Sequence, residues 1–132
     1  MTPLVQGAEL HAQEFVVRRS DLVAYAAASG DHNPIHQDEA VAVAVGLPGV
    51  VAHGMYTMAL AARAVAEWTG DAEVLDLSCT FTHPVVVPED GGATIRVGGV
   101  VKSVADDRVT LVLEVTCEGR KVLGAPKAVV RA

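Results

Sequence analysis

The apolar residues of this chain change their spacing at Gly70, and that change limits the fold more than any other feature. Before it, residues 54–70 read GMYTMALAARAVAEWTG, with no charge in the first two turns and a glycine to stop them. A stretch this apolar predicts a buried helix, because Met55, Tyr56, Met58 and Leu60 cover more than one face. After Gly70 alternation takes over. In VLDLSCTFTH, residues 74–83, Leu75, Leu77, Cys79 and Phe81 share one face, and Asp76, Ser78, Thr80 and Thr82 share the other. RVTLVLEVTC, residues 108–117, repeats the pattern with Val109, Leu111, Leu113 and Val115. ATIRVGGVVKSV, residues 93–104, is strand-like, with Gly98 and Gly99 marking a bulge or bend. KVLGAPKAVVRA completes the set, and Pro126 makes it an edge strand or a bulged one. The short turns ADDR and EGRK join the last three strands as a meander. A buried helix followed by an antiparallel sheet is an α+β layout.

The first part of the chain is less regular. QEFVVR, residues 13–18, predicts a strand. Ser20 suits the N-cap of a helix running through DLVAYAAAS to Gly30. A second short helix is expected over 38–45, with Asp38 and Glu39 at its positive end and Gly46 as its stop.

With 132 residues there is room for one domain, expected over 1–132, and a 51% hydrophobic content supplies a core without disulfides or a structural metal. The formal charge of −6 is spread along the chain with no basic cluster, which argues against nucleic acid and anionic membranes as partners. Cys79 and Cys117 form no CxxC pair, and the expectation is two small buried thiols in a reducing compartment. The opening MTPLVQGAELHAQ lacks the basic start and apolar run of a secretory signal, and the apolar run 52–66 is interrupted by Arg63 and too short to span a bilayer. A cytoplasmic protein is expected.

Titratable groups concentrate in SGDHNPIH, residues 29–36. Asn33-Pro34 is a turn signal, so Asp31 and His36 sit on a fixed loop where they can converge on one point. A carboxylate and an imidazole sharing one water make a general acid/base arrangement, although the same residues also serve as an ordinary capped turn. His32 and His36 have the spacing of a helical metal pair, but Pro34 between them spoils that geometry and no third ligand is evident in the sequence, so no metal is expected. There is no GxSxG elbow around Ser29 and no phosphate-binding glycine loop after a strand. VVAHGM, residues 50–55, leads into the long helix, whose first N–H groups lack internal partners and carry the positive end of the dipole. An N–H at Gly54 aimed at a carbonyl oxygen would stabilise an enolate, or Gly54 only permits a tight turn.

YAAASGDHNPIH, residues 25–36, followed 18 residues after His36 by Gly54 of AHGM, resembles the MaoC-like hydratase/dehydratase family, together with Gly46 and the FTHPV run at 81–85. The similarity covers most of the chain. It implies a single hot-dog fold, a long helix wrapped by a curved antiparallel sheet. It implies (R)-specific hydration of trans-2-enoyl thioesters, or dehydration of (3R)-3-hydroxyacyl thioesters, in fatty-acid metabolism, with no metal or redox cofactor. Asp31 and His36 would be the catalytic pair that holds the water, and Gly54 the backbone donor to the thioester carbonyl. Asn33 would support the loop or the pair; His32 receives no role, His53 satisfies a buried hydrogen bond, and His83 is structural. The resemblance also implies an acyl-CoA or acyl-carrier-protein substrate and an oligomer, either a homodimer or a hot-dog heterodimer. The alternatives are a hot-dog thioesterase and a non-catalytic partner subunit of a heterodimeric dehydratase.

Overall fold

Among the described residues every strand pairing is antiparallel, and the helices all precede the second strand. The computed structural model describes residues 3–132; residues 1 and 2, included in the expected domain, lie outside the described residues. The order is β1 (Glu9–Val17), α1 (Arg19–Ser29), a 3-10 turn (Pro34–His36), α2 (Glu39–Ala44), α3 (Gly54–Thr69), β2 (Val74–Phe81), β3 (Ala93–Ala105), β4 (Arg108–Cys117), β5 (Arg120–Lys121) and β6 (Leu123–Arg131). The strands form one 6-stranded sheet in the order β1-β3-β4-β6-β2, with the short β5 attached to β4. Helix α3 packs against β1, β2 and β3.

α3 is not buried all round, which corrects the expectation from its composition. Its buried residues are Thr57, Leu60, Ala61, Ala64, Val65, Trp68 and Thr69, spaced three and four apart on one face. Met55, Ala59, Arg63 and Glu67 form the exposed stripe. Met55 and Ala59 make the first half of that stripe look apolar in sequence without requiring it to be covered, while Arg63 and Glu67 hold the second half in solvent. The buried face is anchored by side-chain bonds to and from β1: Trp68 Nε1 donates to the His11 carbonyl at 2.8 Å, and Gln13 Nε2 donates to the Ala64 carbonyl at 3.1 Å. Trp68 packs with Ile95, Val97, Leu111, Val115 and Val130, all fully buried, in the core cluster between helix and sheet.

Three further expectations need adjusting. β1 begins four residues before the predicted start, because a register shift between Leu10 and Gln13 interrupts its alternation opposite Gly98. Ser20 does not cap α1: Arg18 is the cap residue, and its N–H donates to the Asp21 carboxylate at 2.8 Å. β6 is not an edge strand, since it lies between β4 and β2. Pro126 is accommodated by the other predicted route, a bulge: pairing with β2 jumps from Ser78↔Lys127 to Thr80↔Gly124, and Ala125 takes a φ of 45° beside it.

The segment that precedes α3 is held like a short strand. Ala52 N donates to the Val85 carbonyl at 2.9 Å, Val87 N to the Val50 carbonyl at 2.8 Å, and Val51 N to the Ile35 carbonyl at 3.1 Å. Residues 50–52 are thus clamped between the segment after β2 and the 3-10 turn. The Arg19 side chain ties in α1 and α2, donating to the Val87 carbonyl and to Glu39, each at 2.9 Å. Among the described residues no helix is long and apolar enough to cross a membrane.

Candidate active site

Residues 29–36 fold as a chain of nested short turns. Asp31 N donates to Ser29 Oγ, Asn33 N to the Asp31 carboxylate, and Ile35 N to Asn33 Oδ1, each at 3.2 Å. Each bond satisfies a backbone donor just after Gly30, with its φ of 79°, ends α1. Asn33 caps the 3-10 turn, and Pro34 stands at the start of it, where a missing N–H costs nothing. As the turn signal predicts, Pro34 begins one tight turn, and that turn delivers His36 to the interior.

His36 is 7% exposed, and its Nδ1 lies 2.7 Å from the Val51 carbonyl oxygen. A carbonyl only accepts, so Nδ1 carries the proton and the neutral ring presents its lone pair at Nε2. One oxygen of the Asp31 carboxylate, one ring nitrogen of His36 and one of His53 lie within 4.8 Å of one another. The tertiary structure therefore brings the predicted Asp31–His36 pair together, with Asp31 on the exposed side and His36 on the buried side.

Gly54 and His36 line a common cavity of ≈ 370 Å³ whose apolar walls include Leu47, Val51, Val85 and Leu123. Gly54 is the first residue of α3, and the His53 carbonyl already accepts from Tyr56 N and Thr57 N. The Gly54 N–H precedes the first residue able to close a bond inside the helix. A Cβ on Gly54 would lie 3.0 Å from the Phe81 ring, so a larger residue here obliges that ring to shift. Phe81, placed by its alternation on the inner face of β2, is 56% exposed and covers this entrance.

Two histidines have surroundings that the sequence did not reveal. His83 is exposed at the rim of the same cavity. His53 does make the expected buried hydrogen bond, to the Asp31 carbonyl at 3.1 Å, but its ring also stacks on His36 with centroids 3.7 Å apart. On its other contact Tyr25 meets His53 edge-on at 4.8 Å, and Tyr25 stacks on Tyr56 at 5.2 Å. No periodicity signals such a row, because its members come from α1, the 3-10 turn and the entrance of α3. Burial, and after it the Asp21 carboxylate, push the Tyr56 phenol above its ordinary range.

With His53 beside Asp31 and His36, three side chains able to ligate a metal lie together, the arrangement of a metal site. The stack does not suit one. Imidazole lone pairs lie in the ring plane, and an ion equidistant from two rings 3.7 Å apart at 23° would stand well out of both planes.

Helix, sheet order and entrance together define a hot-dog domain with an acid and an imidazole at one end of its central helix. The MaoC like domain matches residues 4–119, and the chain belongs to that family. The 3-hydroxyacyl-thioester dehydratase X of Mycobacterium tuberculosis is 39% identical over 74 residues, which are 56% of this chain and 26% of that protein. Among solved structures, a MaoC-like dehydratase superposes with a TM-score of 0.92 at 37% identity, over 96% of this chain and 40% of the other. An R-hydratase of Pseudomonas aeruginosa superposes with a TM-score of 0.84 at 27% identity, over 97% of this chain and 82% of the other. The chain thus spans 26% of the length of the first relative and 40% of that of the first structure.

Proposed function

We propose that this chain catalyses the (R)-specific hydration of trans-2-enoyl thioesters and the reverse dehydration of (3R)-3-hydroxyacyl thioesters. The observation that carries the reading is the convergence of the Asp31 carboxylate and the His36 ring beside a cavity that the Gly54 backbone lines. The R-hydratase and 3-hydroxyacyl-thioester dehydratase among its relatives support the reaction class.

In the hydration direction one water sits between Asp31 and Nε2 of His36. Asp31 takes a proton as the water oxygen bonds to the β-carbon, and the π electrons move onto the thioester carbonyl as an enolate. The Gly54 N–H holds that oxygen, a contact of the kind worth about 3–4 kcal/mol in a water-poor site. Asp31 passes that proton to Nε2 of His36, and the enolate collapses as its α-carbon takes it from the resulting imidazolium. That last transfer restores the neutral His36 and the Asp31 carboxylate from which the cycle began. Asn33 has a supporting role, holding the turn that carries both groups. No metal or redox group is needed for this proton balance.

The substrate is an acyl-CoA or an acyl-carrier-protein thioester, and the chain works as a homodimer or with a second hot-dog chain. β2 is an edge of the sheet and carries exposed Val74 and Phe81, with Met55 exposed nearby in sequence to the Gly54 entrance. Both cysteines are free thiols, in keeping with a reducing compartment such as the cytoplasm.

The test is addition of crotonyl-CoA to the purified chain, following loss of the enoyl absorbance and resolving the product on a chiral phase. (R)-3-hydroxybutyryl-CoA is expected. Release of free thiol without loss of the enoyl group would overturn the reading in favour of a thioesterase.

A further inference from the structure

We propose that His53 is a positioning residue for the acid–base pair: its N–H holds the Asp31 backbone while its ring face holds the His36 imidazole. The inference rests on the reaction proposed above and goes beyond its three named groups.

His53 occupies the N-cap of α3, yet its side chain makes no cap bond. Ser, Thr, Asp and Asn are preferred there because their short side chains accept from the first turn. The imidazole instead turns back 22 residues along the chain to the Asp31 carbonyl, 3.1 Å from Nε2. The carbonyl can only accept, so Nε2 carries the proton and Nδ1 is the bare nitrogen. Nδ1 is buried and has no hydrogen-bond partner among the described residues, in a residue 2% exposed. A buried acceptor without a partner is a cost that an apolar side chain would avoid. The ring's two useful features are its single donor and its flat face, and each touches one member of the pair.

The face lies 3.7 Å from that of His36, at an interplanar angle of 23°. With the Val51 carbonyl on Nδ1 and the His53 ring on one face, the His36 imidazole can neither flip nor tilt freely, so Nε2 keeps one direction. Asp31 is exposed and sits on the turn between α1 and Pro34; the His53 bond ties its backbone to the same ring that His36 rests on. His53 is in turn held by the edge of Tyr25, which stacks on Tyr56 of α3. One aromatic row thus sets the spacing between a surface carboxylate and a buried imidazole.

Three variants separate the two features. His53→Phe keeps the flat face and loses the donor, His53→Gln keeps a donor near the place of Nε2 and loses the ring, and His53→Ala loses both. Each is assayed for crotonyl-CoA hydration beside the wild type and Asp31→Asn, with the unfolding midpoint measured for every variant. His53→Ala is expected to lower kcat about 100-fold, the scale of a 1 Å misplacement, with KM changed less than about 3-fold. Phe and Gln should each restore part of kcat. In long-range proton–nitrogen spectra His36 should show a single Nδ1–H tautomer in the wild type and a mixture in His53→Ala. Wild-type kcat and an unchanged His36 spectrum in the folded Phe and Gln variants would overturn the inference alone. Loss of kcat that merely follows the unfolding midpoint, equal in all three variants, would do the same. A wild type and Asp31→Asn with equal turnover would instead sink the proposed reaction, leaving the spectra to judge the positioning by itself.

Discussion

His36 donates its Nδ1–H to the Val51 carbonyl oxygen at 2.7 Å, and that bond decides which nitrogen is left to work. Val51 N also donates to the Ile35 carbonyl, so one residue of the 50–52 segment fixes both the backbone of the 3-10 turn and the ring of His36. The same segment runs directly into His53 and Gly54. The proposed acid–base pair and the proposed oxyanion donor are therefore two ends of one hydrogen-bonded unit.

That arrangement makes conservative variants informative. His36→Asn keeps an N–H where Nδ1 stood and removes Nε2; Asp31→Asn keeps the oxygen that accepts from Asn33 N and removes the negative charge. Each is expected to lower kcat for enoyl-thioester hydration by about 10²–10⁴-fold while leaving the unfolding midpoint near that of the wild type. Steady-state kinetics and thermal melts check both halves, and wild-type activity in either variant would remove it from the proposed mechanism.

Gly54→Ala places a methyl 3.0 Å from the Phe81 ring. Phe81 is 56% exposed, so its ring has room to turn and the cost in stability should be small. The displaced ring and the new methyl crowd the cavity mouth. A fall in kcat/KM of at least about tenfold is expected, equivalent to about 1.4 kcal/mol of transition-state binding. The double variant Gly54→Ala, Phe81→Ala separates the clash from loss of access to the amide: recovery of kcat/KM assigns the effect to the ring.

Asn33→Ala removes the acceptor that caps the 3-10 turn. A loss of about 1 kcal/mol in unfolding free energy is expected, as for other caps, with reduced kcat because the turn carries both Asp31 and His36. Asn33→Asp keeps an oxygen in place and should recover most of the stability. Urea denaturation of the three proteins measures it.

Burial pushes the Cys79 thiol up, and burial followed by the Glu118 carboxylate pushes Cys117 up. A raised pKa means less thiolate at neutral pH, so both cysteines should alkylate with iodoacetamide more slowly than free cysteine at pH 7. Their rates should climb as the pH passes above the ordinary thiol range, and denaturation in urea should abolish the difference. Mass spectrometry of timed samples reads each site separately.

Much of this architecture is legible in the chain itself. Alternation located β2 and β4, because a strand with one buried face must repeat every second residue, and strand-like runs between short turns located β3 and β6. Gly30 and Gly70 marked the ends of α1 and α3, and both take left-handed φ values that favour glycine. The Asp31, Asn33 and Gly54 positions were visible because local turn chemistry and helix starts depend on near neighbours. What stayed hidden depends on distant ones. The exposed stripe of α3 was masked by alanine and methionine, which suit either environment. Pro126 allowed an edge or a bulge, and only the strand order, with β6 between β4 and β2, decided between them. His53 offered a buried polar ring whose partner sequence reading left unnamed. Its contacts with Asp31, His36 and Tyr25 are made across three elements, and such contacts exist only once packing has set the distances between them. Sequence alone thus determined which groups this protein carries and the turns that present them; the tertiary structure decided which nitrogen of His36 is free and what holds it there, because both depend on carbonyls and rings delivered from elsewhere in the fold.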